Sequence, residues 1–347
     1  KYEQGDYQGA IADYTKAIEI NPKNALAYYN RGTAKYDLQD YHGAIADYTK
    51  AIEINPQDAI AYYNRGLAKG DLENYQGAIS DYTKAIEINP QNANAYSNRG
   101  LAKDNLKDYQ GAIADYNKAI EINPQHSVAY NNRGITKKNL GNYQGAIADF
   151  NKAIEINPQY ADAYSNRGVA KRKSGDTQGA IADFNKAIEI DPQYSKAYNN
   201  RGLVKDEELG EHQGAIADYT KAIEINPQDA DAYYNRGNAK YSLKDTQGAI
   251  ADFNKAIEID PQDASAYLNR GIAKSRLRDY QGAIDDYTKA IEFNPQYANA
   301  YYNRGNAKYY LKDTQGAISD WSKAIEINPQ DASCLLYTSP SPRDRVQ

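Results

Sequence analysis

Three sets of residues in this sequence could carry chemistry. In Lys205-Asp206-Glu207-Glu208-Leu209-Gly210-Glu211-His212, four carboxylates stand beside an imidazole, the ingredients of proton transfer or cation binding. An arginine recurs at Arg31, Arg65, Arg99, Arg133, Arg167, Arg201, Arg236, Arg270 and Arg304, and a lysine follows four residues later, as in Arg65 and Lys69. Each arginine is preceded by an asparagine: Asn30, Asn64, Asn98, Asn132, Asn166, Asn200, Asn235, Asn269 and Asn303. A carboxamide offers a donor and an acceptor, so a row of them can pair with a peptide main chain whatever its side chains are. His42 and His126 have no nucleophile near them in the pattern, and no glycine-rich phosphate loop or nucleophile–base constellation is found. No catalytic, cofactor or metal site is expected, and the chain reads as a non-enzyme.

The elements that must position these residues are punctuated by proline. Pro22, Pro56, Pro90, Pro124, Pro158 and Pro192 are spaced by 34; Pro227 follows after 35; Pro261, Pro295 and Pro329 resume the 34. The period divides the chain into a partial repeat over 1–24 and nine complete ones: 25–58, 59–92, 93–126, 127–160, 161–194, 195–229, 230–263, 264–297 and 298–331. Each reads as two helices. In 59–92, Ala78, Ile79, Tyr82, Ala85 and Ile86 lie on one stripe of a 3.6-residue period, opened by Asn74 as N-cap and closed by Asn89-Pro90. The first half carries Ala61, Tyr62, Gly66, Ala68 and Leu72 behind Asp58, another N-cap type. Glycine inside a helix costs about 1 kcal/mol relative to alanine, so the return of Gly66 in every repeat predicts a close approach of two helices. The extra residue of 195–229 falls between its helices, so the four-carboxylate segment reads first as a lengthened turn. His42 and His126 occupy places filled elsewhere by Gln, Asn, Asp or Tyr, and read as surface residues.

The period, with an aromatic at the fourth place (Tyr28, Tyr62, Tyr96), Gly at the eighth (Gly32, Gly66, Gly100) and Ala at the twentieth (Ala44, Ala78, Ala112), resembles the tetratricopeptide repeat. So do the aromatic at the twenty-fourth place (Tyr48, Phe150, Trp321), Ala at the twenty-seventh (Ala51, Ala85) and Pro at the thirty-second; the likeness covers residues 1–333. It implies an all-α fold, an α-solenoid of tandem helix-turn-helix repeats wound into a right-handed superhelix, with first helices lining a concave groove. No single repeat buries its apolar faces alone, so neighbours supply the stability. Tyr130→Ala, in the middle of the array, is expected to cost about 3–5 kcal/mol.

Two departures from the family pattern bear on function. The seventh place, usually aliphatic in this family, is the arginine. Like charges at i, i+4 repel, so the acids of the second helices, Asp47, Asp81 and Asp115 with Glu53, Glu87 and Glu121, are expected to compensate in an inter-helix ladder; the alternative is a cationic stripe for acidic ligands. The sixth-place asparagines resemble the ladder in the tetratricopeptide arm of protein O-linked N-acetylglucosamine transferases, which holds extended polypeptide by its main chain; the alternative is that each asparagine caps or bridges neighbouring helices. Fifth-place side chains, Tyr29, Tyr63, Tyr234 and Tyr302 among them, would then set selectivity, with neutral drift of a solvated surface as the alternative. Tyr96-Ser97-Asn98-Arg99 and Tyr164-Ser165-Asn166-Arg167 also resemble the middle repeat of the two-carboxylate clamp of chaperone adaptors. The flanks do not: Tyr63, Leu67, Asn131 and Ile135 stand where that clamp has Lys and Asn, so its charge-assisted bonds to a carboxylate are missing.

Composition narrows the partners. Over 347 residues the net charge is −5, the wrong sign for a phosphate backbone, so nucleic acid is not expected. A mean hydropathy of −0.86 leaves no stretch approaching the ~20 apolar residues of a membrane-spanning helix. Tyrosine numbers 34 against 4 phenylalanines, which speaks against disorder. The chain has no Met, so Lys1 is not expected to be the biological start. Residues 332–347 are expected to be a stub and a non-native tail: from Cys334 the pattern gives way to Cys-Leu-Leu-Tyr-Thr-Ser-Pro-Ser-Pro-Arg-Asp, which resembles a translated sequencing adapter, with a Pro/Ser linker as the rival. The expected function is a cytoplasmic scaffold that binds an extended or helical segment of a partner protein in the groove. The alternatives are a substrate-recruiting arm of a larger glycosyltransferase or kinase and a spacer or self-association module.

Overall fold

Most helix starts follow from a side-chain cap, although those after Tyr160, Tyr194, Glu211 and Tyr297 have none. In the computed structural model, which describes residues 1–329, Asp58 opens the helix Ala59–Asp71 by accepting from the N–H groups of Ile60 and Ala61. Asn74 caps Tyr75–Ile88 by accepting from Gly77 N–H, and the chain leaves that helix at Asn89, before Pro90. The described residues hold nineteen α-helices and a 3-10 turn at Tyr2–Gln4, with no strand.

The chain divides into two compact units, one over Lys1–Asp176 and one beginning at Thr177. In the first, Tyr7–Ile20 is followed by four helix pairs, from Ala25–Asp37 with Tyr41–Ile54 to Ser127–Asn139 with Tyr143–Ile156, and then by Ala161–Lys173. In the second, Thr177–Ile190 precedes four pairs, from Ser195–Glu207 with His212–Ile225 to Ala298–Tyr310 with Thr314–Ile327. Within each unit a helix packs on its neighbours in sequence and lightly on the helix after next, a solenoid arrangement. The last two residues of 298–331 and the whole tail from Cys334 lie outside the described residues.

Alanine and one aromatic per repeat build the core. Ala78, Tyr82 and Ala102 form one buried cluster and Ala85, Ile86 and Ala95 another, so each joins two successive repeats. A Cβ added at Gly100 would lie 2.9 Å from Tyr116 Cε1 and 3.2 Å from the Ala112 carbonyl oxygen, which accounts for the recurrent glycine. The fully buried rings are those of the twenty-fourth place, such as Tyr116 and Phe150. Tyr130 is only half-buried, with the Arg133 guanidinium 5.4 Å from its ring centroid. The cost expected of Tyr130→Ala is corrected accordingly, to about 1–2 kcal/mol.

The turns between paired helices hold one residue in left-handed backbone: Gln39, Glu73 and Lys107 at φ 61°, 58° and 63°, and Gly141 and Gly175 at 78° and 88°. In 195–229 that turn is lengthened to 208–211, with Gly210 at φ 67°. Its charges serve the turn: His212 Nδ1 lies 2.6 Å from Asp206 Oδ1, and Thr177 Oγ1 donates to Glu208 at 2.7 Å. Among the described residues, no group of three or more His, Cys, Asp or Glu could hold a metal ion. His42 is exposed, but His126 is not a surface residue: it caps Ser127–Asn139 through Nδ1, and its Nε2 is buried without a hydrogen-bond partner.

Candidate functional site

The arginine series is spent on holding the repeats together. Arg99 donates from Nε and Nη2 to the two oxygens of Asp115 at 2.9 and 2.6 Å, a planar fork on a carboxylate. Lys103 adds an ion pair to the same carboxylate at 2.8 Å. Asp115 is 5% exposed and sits on the second helix, so one buried acid neutralises the two cations of the first helix. The remaining donor, Arg99 Nη1, reaches back to Thr83 Oγ1 of the preceding repeat at 3.1 Å, and Arg133 reaches Asn117 Oδ1 in the same way at 2.6 Å. The fourth-place Tyr96 lies under the Arg99 guanidinium, 5.4 Å away. At Arg31, the hydrogen bond to Asp47 raises the pKa above the ordinary arginine value. Aspartate alone does the compensating: Glu53, Glu87 and Glu121 pair within their own helices with Lys50, Lys84 and Lys118 at 2.6 Å, on exposed surface where such pairs are worth little.

The asparagine and tyrosine series meet each other. Asn64 Nδ2 donates to the Tyr29 hydroxyl and Asn98 Nδ2 to the Tyr63 hydroxyl, each at 2.9 Å across the seam between successive repeats. Asn269 donates to the Tyr234 hydroxyl at 3.0 Å and to Asn238 Oδ1 at 2.9 Å. Where the fifth place holds Asn the seam persists, with Asn166 donating to Asn131 at 3.2 Å and Asn235 to Asn199 at 3.1 Å. Asn132 accepts from Asn131 at 3.4 Å, and Asn303 turns back onto the Asn299 carbonyl at 2.8 Å. Asn30, Asn200 and Tyr302 are half-buried. Smaller fifth-place side chains, Ser97 and Ser165, are buried outright.

These pairs leave hydrogen-bonding capacity unused. In Tyr29–Asn64 and Tyr63–Asn98 the hydroxyl accepts, so its own proton remains to donate, while Asn Oδ1 accepts from no protein group among the described residues. Burial pushes the Tyr63 hydroxyl's pKa up against the opposing effect of Asn98, so it stays a neutral donor. One pair therefore keeps at least one donor and one acceptor, enough to complement one peptide unit.

A family model described as tetratricopeptide repeat matches residues 59–92, 93–126, 161–194, 230–263 and 298–331, and another with the same description matches 115–148 and 253–285. A further model, described as TPR repeat, matches 1–39, 32–72, 137–175, 208–244 and 279–312. The chain belongs to the tetratricopeptide repeat family. Among solved structures, this tetratricopeptide chain is similar to a tetratricopeptide repeat protein from Parabacteroides merdae, at 23% identity and a TM-score of 0.59 over 72% of this chain and 98% of that one. It is also similar to the APC/C hetero-tetramer Cut9-Hcn1, at 16% identity and a TM-score of 0.59 over 96% and 83%. YrrB, described as a TPR protein with an unusual peptide-binding site, aligns at 25% identity with a TM-score of 0.48 over 55% and 97%. No curated protein sequence matches this tetratricopeptide chain.

Some contacts of the array join residues that a single repeat does not bring together. The third partner of each arginine is the Thr or Asn at the twenty-fifth place, a two-type alternation in the preceding repeat that marks a hydrogen-bonding position. Tyr36 at the twelfth place donates to Asp71 of the next repeat at 2.5 Å, a pairing 35 residues long that a single-repeat register does not bring together.

Proposed function

We propose that this chain is a protein-interaction scaffold that holds an extended segment of a partner polypeptide along the face bearing the sixth-place asparagines, read as nine complete repeats behind a partial one. Family membership supports an interaction scaffold in general terms. The finer reading rests on one observation: in Tyr29–Asn64 and Tyr63–Asn98 a donor and an acceptor remain after the repeats have bonded to each other. The seam explains why asparagine recurs despite its middling helix propensity, and the unused atoms give it a second role. The fifth-place tyrosines Tyr29, Tyr63, Tyr234 and Tyr302 are part of that surface. No helix among the described residues is long and apolar enough to cross a membrane. A cytoplasmic scaffold remains part of the proposed reading. The recruiting-arm alternative uses the same surface and differs in what is joined to it.

The test is a triple substitution in one unit, Asn64→Ala, Asn98→Ala and Asn166→Ala, against peptides selected from a random library on the wild-type chain. Loss of the Oδ1 acceptor at each position should weaken peptide binding at least about tenfold over the three, while each lost seam bond costs about 1 kcal/mol of stability. Peptide affinity left unchanged, with stability lowered, would assign the asparagines to the seam alone.

A further inference from the structure

A cavity of about 230 Å³ opens beside Gly70, between the repeats 59–92 and 93–126. One repeat earlier, the matching cavity measures about 190 Å³ and is lined by Tyr36, which occupies the place that Gly70 takes here. In that earlier cavity the buried Tyr48 hydroxyl donates to Thr33 at 3.3 Å. Next to Gly70 the ninth place is Leu67 instead of threonine, and the Tyr82 hydroxyl has no protein hydrogen-bond partner among the described residues although Tyr82 is 3% exposed and lines the cavity. That hydroxyl opens onto the cavity with no protein bond, so it can accept from a donor that a ligand brings in.

The one charged group around this cavity is a carboxylate, and beside the Tyr82 hydroxyl the rest of its polar lining is two carboxamides and the Tyr75 hydroxyl. Asn98 and Asn105 also line it; each gives one Nδ2 hydrogen within the protein, to the Tyr63 hydroxyl at 2.9 Å and the Leu101 carbonyl at 3.0 Å, which leaves each an Oδ1 acceptor and one N–H. Asp71 adds a carboxylate whose Oδ2 already accepts from Tyr36. Leu67 and Leu101 supply apolar wall. An acidic side chain would face Asp71, and an apolar one would bury the acceptors unpaired. A lysine or arginine brings donors only, a positive charge for Asp71 and an apolar stem for the leucines. Asn98 belongs both to this cavity and to the asparagine row, so a segment lying on that row passes the cavity mouth.

We propose that the Gly70 cavity is an anchor for a lysine or arginine side chain of the bound polypeptide; the proposal rests on the groove reading above and adds its selectivity. The probe is a random dodecapeptide library displayed on phage and selected on the full chain, followed by synthetic peptides measured by fluorescence polarisation. Selected peptides should share one basic residue, and its replacement by norleucine should weaken binding about tenfold, the scale of a charge-assisted bond. Gly70→Tyr, which copies Tyr36 and narrows the cavity as in the preceding repeat, should weaken the basic peptide and make the norleucine replacement cost less than in the wild type. Asp71→Asn, which leaves the cavity open, should weaken the basic peptide severalfold and serves if Gly70→Tyr does not fold. Peptides without a shared basic residue, or a basic residue whose replacement costs as much in the variants as in the wild type, would overturn the anchor and leave the groove standing. A library that yields no binder overturns both.

Discussion

Arg99, Lys103 and Asp115 show how one residue can decide the stability of a repeat. Two cations of one helix meet a single buried acid of the next, so neither cation has a second carboxylate to fall back on. Asp115→Ala should cost about 2–3 kcal/mol, below the full penalty of a broken buried pair because Arg99 and Lys103 keep some access to water. Urea unfolding measures it, and a loss under 1 kcal/mol would place the network among ordinary surface pairs. His126 sets a second residue-scale expectation. Burial lowers its pKa from the ordinary 6.5. As pH falls through 6.5 the unfolded chain takes up the proton first, so the folded state loses stability from there down to the lower folded value and keeps it above. His126→Asn, the residue type that caps at Asn92, should remove this dependence, so the stability difference between variant and wild type grows from pH 8 to pH 5 in thermal melts. The arginine's role was readable in the sequence, because a charge repeated at fixed spacing needs a counter-charge at fixed spacing. The Tyr–Asn seam was not readable, because its partner lies 35 residues away and changes between Tyr and Asn.

At the scale of the element, the helices were readable and the turns were not. Apolar stripes, N-caps and Asn-Pro stops each repeat often enough to locate both helices of a repeat. The left-handed position carries little sequence signal because six of its instances, Gln39, Glu73, Lys107, Lys244, Arg278 and Lys312, are long polar residues, and only Gly5, Gly141, Gly175 and Gly210 signal the conformation. Two glycine exchanges then carry opposite signs. Lys107→Gly should stabilise by about 1 kcal/mol, since a side chain at φ 63° is strained and glycine there is not. Gly100→Ala should destabilise by about 1–3 kcal/mol, because the new methyl meets the Tyr116 ring and the Ala112 carbonyl across the helix pair. Denaturant midpoints of the two variants check both, and equal shifts of the same sign would contradict the packing described for the turn and the pair.

The whole molecule inherits its behaviour from contacts that stay local. Within each unit helices touch their neighbours in sequence, and the seams reuse the same parts: an arginine reaching the twenty-fifth place and, at Asn64, Asn98, Asn166, Asn235 and Asn269, an asparagine reaching the fifth. Removal of residues 93–126 would bring Arg133 to Thr83 in place of Asn117, and Asn132 to Tyr63 in place of Ser97, so the new seam is built from types the array already uses. A repeat array treated as a sum of repeat and neighbour terms should therefore survive the deletion. The mean-residue helix signal should be unchanged, and the denaturant m-value should fall by about a tenth, in proportion to the surface no longer exposed on unfolding. A single core formed by distant parts of the chain would instead lose its fold when an internal tenth is cut out. Circular dichroism of the deletion variant, followed through a urea titration, separates the two outcomes: a collapse of the helix signal in buffer would mean that stability in this chain is not built seam by seam.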